Sequence, residues 1–131
     1  MIYLASPFAS DSEETRIDRI MQAEHASHWL LGQGVRNFSP IAHNARAAES
    51  LYPHNTSDYL GLDFEILSTC GGLCVLLLPG WERSRGVLLE IGFAISRSLQ
   101  LSTIARRSET EFVHLPISVT DLINMIYPEE L

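Results

Sequence analysis

Residues 73–98 read LCVLLLPGWERSRGVLLEIGFAISRS, and this stretch decides the fold. Residues 73–78 are all apolar, which is typical of a strand buried on both faces of a parallel sheet. Pro79 and Gly80 end that strand, and Ser84 is a good N-cap for a helix predicted over residues 84–98. A buried strand that leads directly into an apolar helix is the repeating unit of α/β proteins.

The same alternation extends to both sides of this stretch. Strands are predicted over residues 2–5 and 35–38, and residues 99–104 and 112–115 fit edge strands. A long helix is predicted from the cap at Asp11 and Ser12 to Gly32, with an apolar face made of Ile17, Ile20, Met21 and Leu31. The remaining helices are predicted over residues 45–51 with a break at Pro53, from residue 57 with the stripe Leu60, Phe64 and Leu67, and over residues 120–127 with the cap Thr120 and Asp121.

This pattern predicts one α/β domain over residues 1–131, with a Rossmann-like or flavodoxin-like parallel sheet of about five strands and helices on both faces. In such sheets ligands bind beyond the carboxyl ends of the strands. Three segments are therefore expected to line a site: residues 6–10, 39–44 and 79–86.

Composition excludes several classes of function. The formal net charge of −7 argues against a reader of duplex DNA. All nine basic residues are arginine, so lysine Schiff-base and P-loop chemistry are impossible. The short apolar runs and the N-terminus, which carries no basic region, predict neither a membrane span nor a signal peptide, and Cys70 and Cys74 fit a reduced cytoplasmic protein.

Glu90 is the polar residue whose surroundings are least ordinary. It lies on the most apolar helix, where an unpaired buried carboxylate is costly. Gly86 precedes it by one turn and leaves space in front of the carboxylate, beside a helix N-terminus that favours an anionic group. The alternative is a carboxylate on the rim, paired with Arg83 or Arg97.

Three further residues are candidates for the same end of the sheet. Asp63 flanks the apolar stripe of its helix, where it either joins Glu90 or stays on the surface. His43 either donates to a base or sugar or is a structural histidine. Trp81 either walls a pocket or covers the core. No cofactor motif and no zinc signature is present, so neither a cofactor nor a metal is expected.

Four segments resemble the nucleoside 2-deoxyribosyltransferase superfamily, on the side of the nucleoside 5′-monophosphate N-glycosidases and a small bacterial and phage branch. They are Tyr3-Leu4-Ala5-Ser6-Pro7-Phe8, Ser39-Pro40-Ile41-Ala42-His43-Asn44, Asp63-Phe64-Glu65-Ile66-Leu67, and the stretch from Pro79 to Glu90 that contains Ser84-x-Gly86-x-x-x-Glu90. The last segment is the most specific, and the resemblance covers about residues 1–104.

The resemblance implies cleavage of an N-glycosidic bond. Glu90 would attack C1′ and form a glycosyl ester, Asp63 would handle protons, and Tyr3 would orient Glu90. Ser6 and Gly86 would contact the substrate. Ser84 stands where members that act on free nucleosides usually carry an acidic residue, so a nucleoside 5′-monophosphate is the expected substrate, with a homodimer or larger homo-oligomer as the assembly.

The chain departs from the superfamily in three places. Cys70-Gly71-Gly72 stands where the superfamily usually has an acidic residue, Trp81 and Glu82 lengthen the loop before Ser84, and the region after Leu101 matches poorly. Three other functions stay open from the sequence: a deoxyribosyltransferase acting on free nucleosides, a module that binds a nucleotide without cleaving it, and a degenerate domain that serves as an interaction protein. The presence together of Tyr3, Asp63, Ser84, Gly86 and Glu90 favours the enzyme.

Overall fold

The computed structural model describes residues 1–50 and 56–128. The elements follow the chain as β1 Ile2–Ala5, α1 Glu13–Gly32, β2 Asn37–Phe38, α2 Pro40–Ser50, α3 Thr56–Leu67, β3 Gly72–Leu76, α4 Arg85–Ser96, β4 Gln100–Arg106, β5 Phe112–Pro116 and α5 Val119–Ile126. A 3-10 turn, Trp81–Arg83, lies between β3 and α4. The predicted break at Pro53 lies outside the described residues.

The five strands form one sheet in the order β2-β1-β3-β4-β5. The first four strands are parallel, and only β5 runs antiparallel to its neighbour. This is the flavodoxin-like order, in which a crevice opens between β1 and β3 because the chain leaves these strands in opposite directions. The predicted α/β fold is confirmed, with β5 as the one antiparallel addition.

Helices cover both faces of the sheet, as predicted. On one face, α1 packs its buried residues Ala23, Ala26 and Leu30 against strand side chains such as Leu4 and Ile104. On the other face, side chains of α3, α4 and α5 cover Tyr3, Ala5, Leu73 and Val75. Tyr3 therefore projects towards α3 and α4, which is what places it near Asp63 and Glu90.

The predicted apolar face of α1 is confirmed at Ile20 and wrong at its other three residues. Ile17, Met21 and Leu31 are 42%, 39% and 57% exposed, and the buried face consists of Ile20, Ala23, Ala26 and Leu30. Small alanine side chains let the helix lie close to the sheet, so burial follows the alanines rather than the larger apolar residues. The predicted N-terminus is confirmed, since the Ser12 side chain accepts from the Thr15 amide at 3.2 Å.

Three further features differ from the prediction: the start of α2, the place of β4 in the sheet and the cap of α5. Pro40 begins α2 instead of only ending β2, because proline is favoured in the first turn of a helix and the Ser39 hydroxyl accepts from the Ala42 amide. Strand β4 is not an edge strand, since β5 turns back and pairs with it. The cap of α5 is Ser118, whose hydroxyl accepts from the Asp121 amide at 3.1 Å.

No helix within residues 1–50 and 56–128 combines the length and the apolar character needed to cross a membrane.

Candidate active site

Tyr3 lies in the middle of β1 and is fully buried. Its hydroxyl donates a hydrogen bond to Oε2 of Glu90, which is 87 residues away in the sequence. Burial, and next the negative charge of Glu90, raise the pKa of the Tyr3 phenol far above its ordinary value. Tyr3 therefore keeps its proton and acts as a fixed donor to the carboxylate.

Glu90 is 6% exposed although it is an acidic residue. It lies on the buried face of α4 together with Val87, Ile91 and Ala94. The pKa of Glu90 is raised to about 8, chiefly by burial; the hydrogen bond from Tyr3 lowers it, and the negative charge of Asp63 adds a smaller rise. Glu90 is thus a desolvated carboxyl with one strong donor, and the rim alternative is wrong.

The two arginines of that alternative have other contacts. Arg83 lies 3.6 Å from the carboxylate of Glu82, and the guanidinium of Arg97 lies over the Phe93 ring at 4.9 Å from its centroid.

Asp63 completes the cluster from α3. Its charge raises the pKa of both Tyr3 and Glu90, so the three groups lie close enough to interact electrostatically. Burial raises the pKa of Asp63 itself to about 6. Within the described part of the chain its Oδ1 atom is buried without a hydrogen-bond partner, which is uncommon for a native carboxyl. Contact between Phe64 and Phe93, with ring centroids 5.5 Å apart, holds α3 against α4.

Ser6, Ser84 and Gly86 lie on the segments that follow β1 and β3. Ser6 is 6% exposed, and its Oγ atom has no hydrogen-bond partner among the residues described. Ser84 is the N-cap of α4, and its hydroxyl accepts from the Val87 amide at 3.4 Å. At Gly86 an added Cβ would meet no atom within 4 Å, so open space lies beside the first turn of α4.

His43 and Trp81 lie in different surroundings. His43 is exposed on the first turn of α2, with its ring 5.3 Å from that of Phe38. Trp81 is 7% exposed and belongs to the apolar cluster that contains Tyr3 and Leu122. Of its two predicted roles, the structure shows the packing one. Substrate contact by His43 or Trp81 stays a prediction.

Arg19 is a residue of this region that the sequence did not reveal. Its guanidinium contacts the loops that follow β1 and β3. The signal in the sequence was weak, because Arg19 is one of several charged residues along α1. Arg19 becomes notable only in the structure, where its guanidinium contacts two loops that are distant in the sequence.

The described residues hold no cluster of three or more His, Cys, Asp or Glu side chains suited to a metal ion. A groove of about 920 Å³ lies at the amino ends of β1, β3 and β4, against Gly72, Gln100 and His114. It contains none of the predicted site residues. The candidate site is the buried cluster of Tyr3, Asp63 and Glu90.

The fold and the cluster together define a flavodoxin-like α/β domain with two desolvated carboxyl groups at the β1–β3 switch point. The chain belongs to the DUF1937 family, described as a domain of unknown function, whose sequence model matches residues 1–106. The match runs through β4 and includes every predicted site residue, whereas β5 and α5 lie beyond it. No curated protein matches the chain.

Proposed function

We propose that the protein cleaves the N-glycosidic bond of a nucleoside or deoxynucleoside 5′-monophosphate and releases the free base. The observation that carries this proposal is the buried cluster in which Tyr3 donates to Glu90 while Asp63 lies within electrostatic reach. Two carboxyls in different surroundings are what a double displacement at a sugar carbon requires.

The reaction proceeds in two steps. An oxygen of Glu90 attacks C1′ as the bond from C1′ to the base nitrogen breaks, and Asp63 gives its proton to the departing base. The product is a glycosyl ester of Glu90. Water then attacks C1′, Asp63 takes a proton from it, and Glu90 leaves as a carboxylate. Tyr3 donates to the same carboxylate before and after the ester exists.

The first step needs Glu90 ionised and Asp63 protonated. With a pKa of about 8 for Glu90 and about 6 for Asp63, the free protein favours the opposite arrangement at neutral pH, a protonated Glu90 beside an ionised Asp63. The Tyr3 hydrogen bond favours ionised Glu90, and so would the positive charge that develops at C1′. Substrate binding is therefore part of how Glu90 is activated.

Ser84 and the first turn of α4 support a phosphorylated substrate. Ser84 is uncharged, and the N-terminus of a helix favours an anion. Arg83 and Arg85 flank it and are exposed. An acidic residue in this place would repel a phosphate, whereas a hydroxyl does not.

Gly86 provides a test of where the sugar lies. Gly86→Ala should be tolerated by the fold and should stabilise α4 by up to about 1 kcal/mol, because alanine is the better helix former and the added methyl meets open space. It should raise KM about tenfold, since that space is where the sugar would lie against the helix. Thermal unfolding and steady-state kinetics give the two readouts.

Gly92→Ala is the matched control for this variant. Gly92 lies on the same helix, is exposed, and also has no atom within 4 Å of an added Cβ. It should share the gain in stability without any change in KM. An unchanged KM for Gly86→Ala would place the sugar elsewhere.

A panel of ribo- and deoxyribonucleoside monophosphates, with free base followed by chromatography, tests the proposed function directly. Release of base from monophosphates supports it. Release only from free nucleosides, or transfer to an added second base, would favour the deoxyribosyltransferase. Saturable binding with no release from any member would favour a module that senses nucleotides.

A homo-oligomer with two-fold symmetry is part of the proposal. Leu62 on α3 and Leu89 on α4 are 43% and 40% exposed, close to the helices that carry Asp63 and Glu90. Covering such side chains is a common reason for symmetric association. Light scattering at micromolar concentration should give at least twice the mass of 14.7 kDa; a monomer would contradict this part of the proposal.

The proposal also places the protein in the cytoplasm. Cys70 and Cys74 are both buried and free. They belong to different apolar layers, Cys70 to the layer of α3 and α4 and Cys74 to the layer of α1. Free buried thiols are typical of proteins from a reducing compartment.

A further inference from the structure

The guanidinium of Arg19 bridges the two loops at the β1–β3 switch point. Its Nη1 donates to the carbonyl oxygen of Ala9 at 2.8 Å and more weakly to that of Phe8 at 3.4 Å, both in the loop after β1. Its Nη2 donates to the carbonyl oxygen of Pro79 at 3.1 Å, in the loop after β3. One planar group on α1 thus joins two segments that are 70 residues apart.

These two loops flank the crevice that the strand order opens. Strands β1 and β3 are neighbours over four residue pairs, and their chains then leave in opposite directions. The first loop begins at Ser6 and the second leads to Ser84. A substrate that approaches Tyr3 and Glu90 from the carboxyl ends of the strands would pass between these two loops.

Both the backbone conformation and the missing side chain of Gly80 allow the Arg19 guanidinium to reach the Pro79 carbonyl. Its φ of +89° lies in the left-handed region that favours glycine. A Cβ at Gly80 would lie only 3.1 Å from Nη2 of Arg19. Arg19 and Gly80 are thus in close contact, and a methyl group at residue 80 would require the guanidinium to shift by a few tenths of an ångström.

The position of Gly80 is passed on to α4 through a short hydrogen-bonded turn. The Arg83 amide donates to the Gly80 carbonyl, and the Ser84 amide donates to the Trp81 carbonyl, each at 3.1 Å. Ser84 then caps α4, the helix that carries Gly86 and Glu90. A shift at Pro79 is therefore transmitted to the N-terminus of that helix.

We infer that Arg19 is a positioning residue: with Gly80 it forms a clasp that holds the loops after β1 and β3 at the separation that admits the substrate. The link to substrate rests on the proposed function, whereas the ordering of the loops does not. The planar guanidinium suits this role because its two nitrogens reach both loops at once, which a single ammonium group does less well.

The experiment compares Arg19→Met, which keeps the apolar stem and removes the donors, with Arg19→Lys. Arg36→Met is the control, because Arg36 is exposed just before β2 at the other end of the sheet. Hydrogen exchange is measured for peptides covering residues 6–12 and 78–84. Both segments should exchange about tenfold faster in Arg19→Met, by an intermediate amount in Arg19→Lys, and at the wild-type rate in Arg36→Met.

Kinetics supply the second readout. For a monophosphate substrate, Arg19→Met should raise KM about tenfold while kcat changes less than about threefold, because the buried carboxyls below the loops stay in place.

The outcomes separate the two proposals. Unchanged exchange in both segments of Arg19→Met would overturn the clasp whatever the protein catalyses. Faster exchange with an unchanged KM would overturn the positioning role. Faster exchange in a protein whose wild type releases no base would leave the clasp supported, and its link to catalysis would fall with the proposed function.

Discussion

Glu90→Gln should abolish release of the base and, at pH 8, make the folded protein more stable. Glutamine keeps the size of the side chain but removes the anion that attacks C1′, so turnover should fall at least about a thousandfold. Nucleotide binding should survive, because the contacts to sugar and phosphate do not involve that charge. Steady-state release of base and a separate measurement of nucleotide binding check this expectation.

The gain in stability follows from the burial of Glu90. Its pKa is 4.5 in the unfolded chain and about 8 in the folded protein. Between these values the folded protein holds a proton that the unfolded chain has lost. Below pH 4.5 Glu90 is protonated in both states and the folded protein keeps its full stability. As the pH rises from 4.5 towards 8, the free energy of unfolding falls by on the order of 5 kcal/mol in total. Glutamine does not titrate and escapes this loss.

The difference in Tm between Glu90→Gln and wild type should therefore grow from near zero at pH 5 to on the order of 10 °C at pH 8. Glu65→Gln, on the exposed side of α3, is the control and should change Tm little at either pH. Full turnover by Glu90→Gln would show that Glu90 is not the nucleophile. A lower Tm at pH 8 would instead show that burial does not destabilise the carboxylate.

Ser84→Asp should separate phosphorylated from unphosphorylated substrates. Aspartate is as good an N-cap as serine, so the cap on the Val87 amide and the stability of α4 should be retained. The substitution adds a negative charge where the 5′-phosphate is proposed to bind. KM for monophosphates should rise by about 10- to 100-fold, while free nucleosides should be used equally well or better.

The matched control introduces the same charge at another helix. Ser118 caps α5 by accepting an equivalent hydrogen bond from the Asp121 amide, and it lines the groove at the amino ends of the strands. Ser118→Asp should leave KM for both substrates unchanged. Equal weakening of nucleoside and nucleotide by Ser84→Asp would remove the phosphate assignment and point to an enzyme that acts on nucleosides.

Local sequence patterns predicted the strands and helices well where a single effect, such as burial or helix capping, dominated. Residues 73–76 are apolar because β3 is covered on both faces, although the strand ends two residues before the predicted end at Leu78. Ser12 and Ser84 cap their helices as predicted. The prediction was wrong for α1, where close packing selected alanines over larger side chains. It was also wrong for β4, because a local pattern does not tell which strand returns to pair with it.

The candidate site divides in the same way. Glu90 stood out in the sequence because a carboxylate on an apolar helix is costly, and Gly86 stood out because glycine is a poor helix former. The hydrogen bond from Tyr3 to Glu90 was expected only through the family resemblance, and the structure confirms it. The contact of Arg19 with two loops was not expected at all, since it joins elements that are far apart along the chain.

By itself the sequence determined the alternation of strands and helices, the caps of α1 and α4, and the presence of an acidic residue where solvation is poor. Only the tertiary structure decided that Tyr3, Asp63 and Glu90 meet, and that their pKa values rise together. The reason is that desolvation and charge coupling depend on what surrounds a group in space, and neighbours in space come from strand order and helix packing rather than from spacing along the chain.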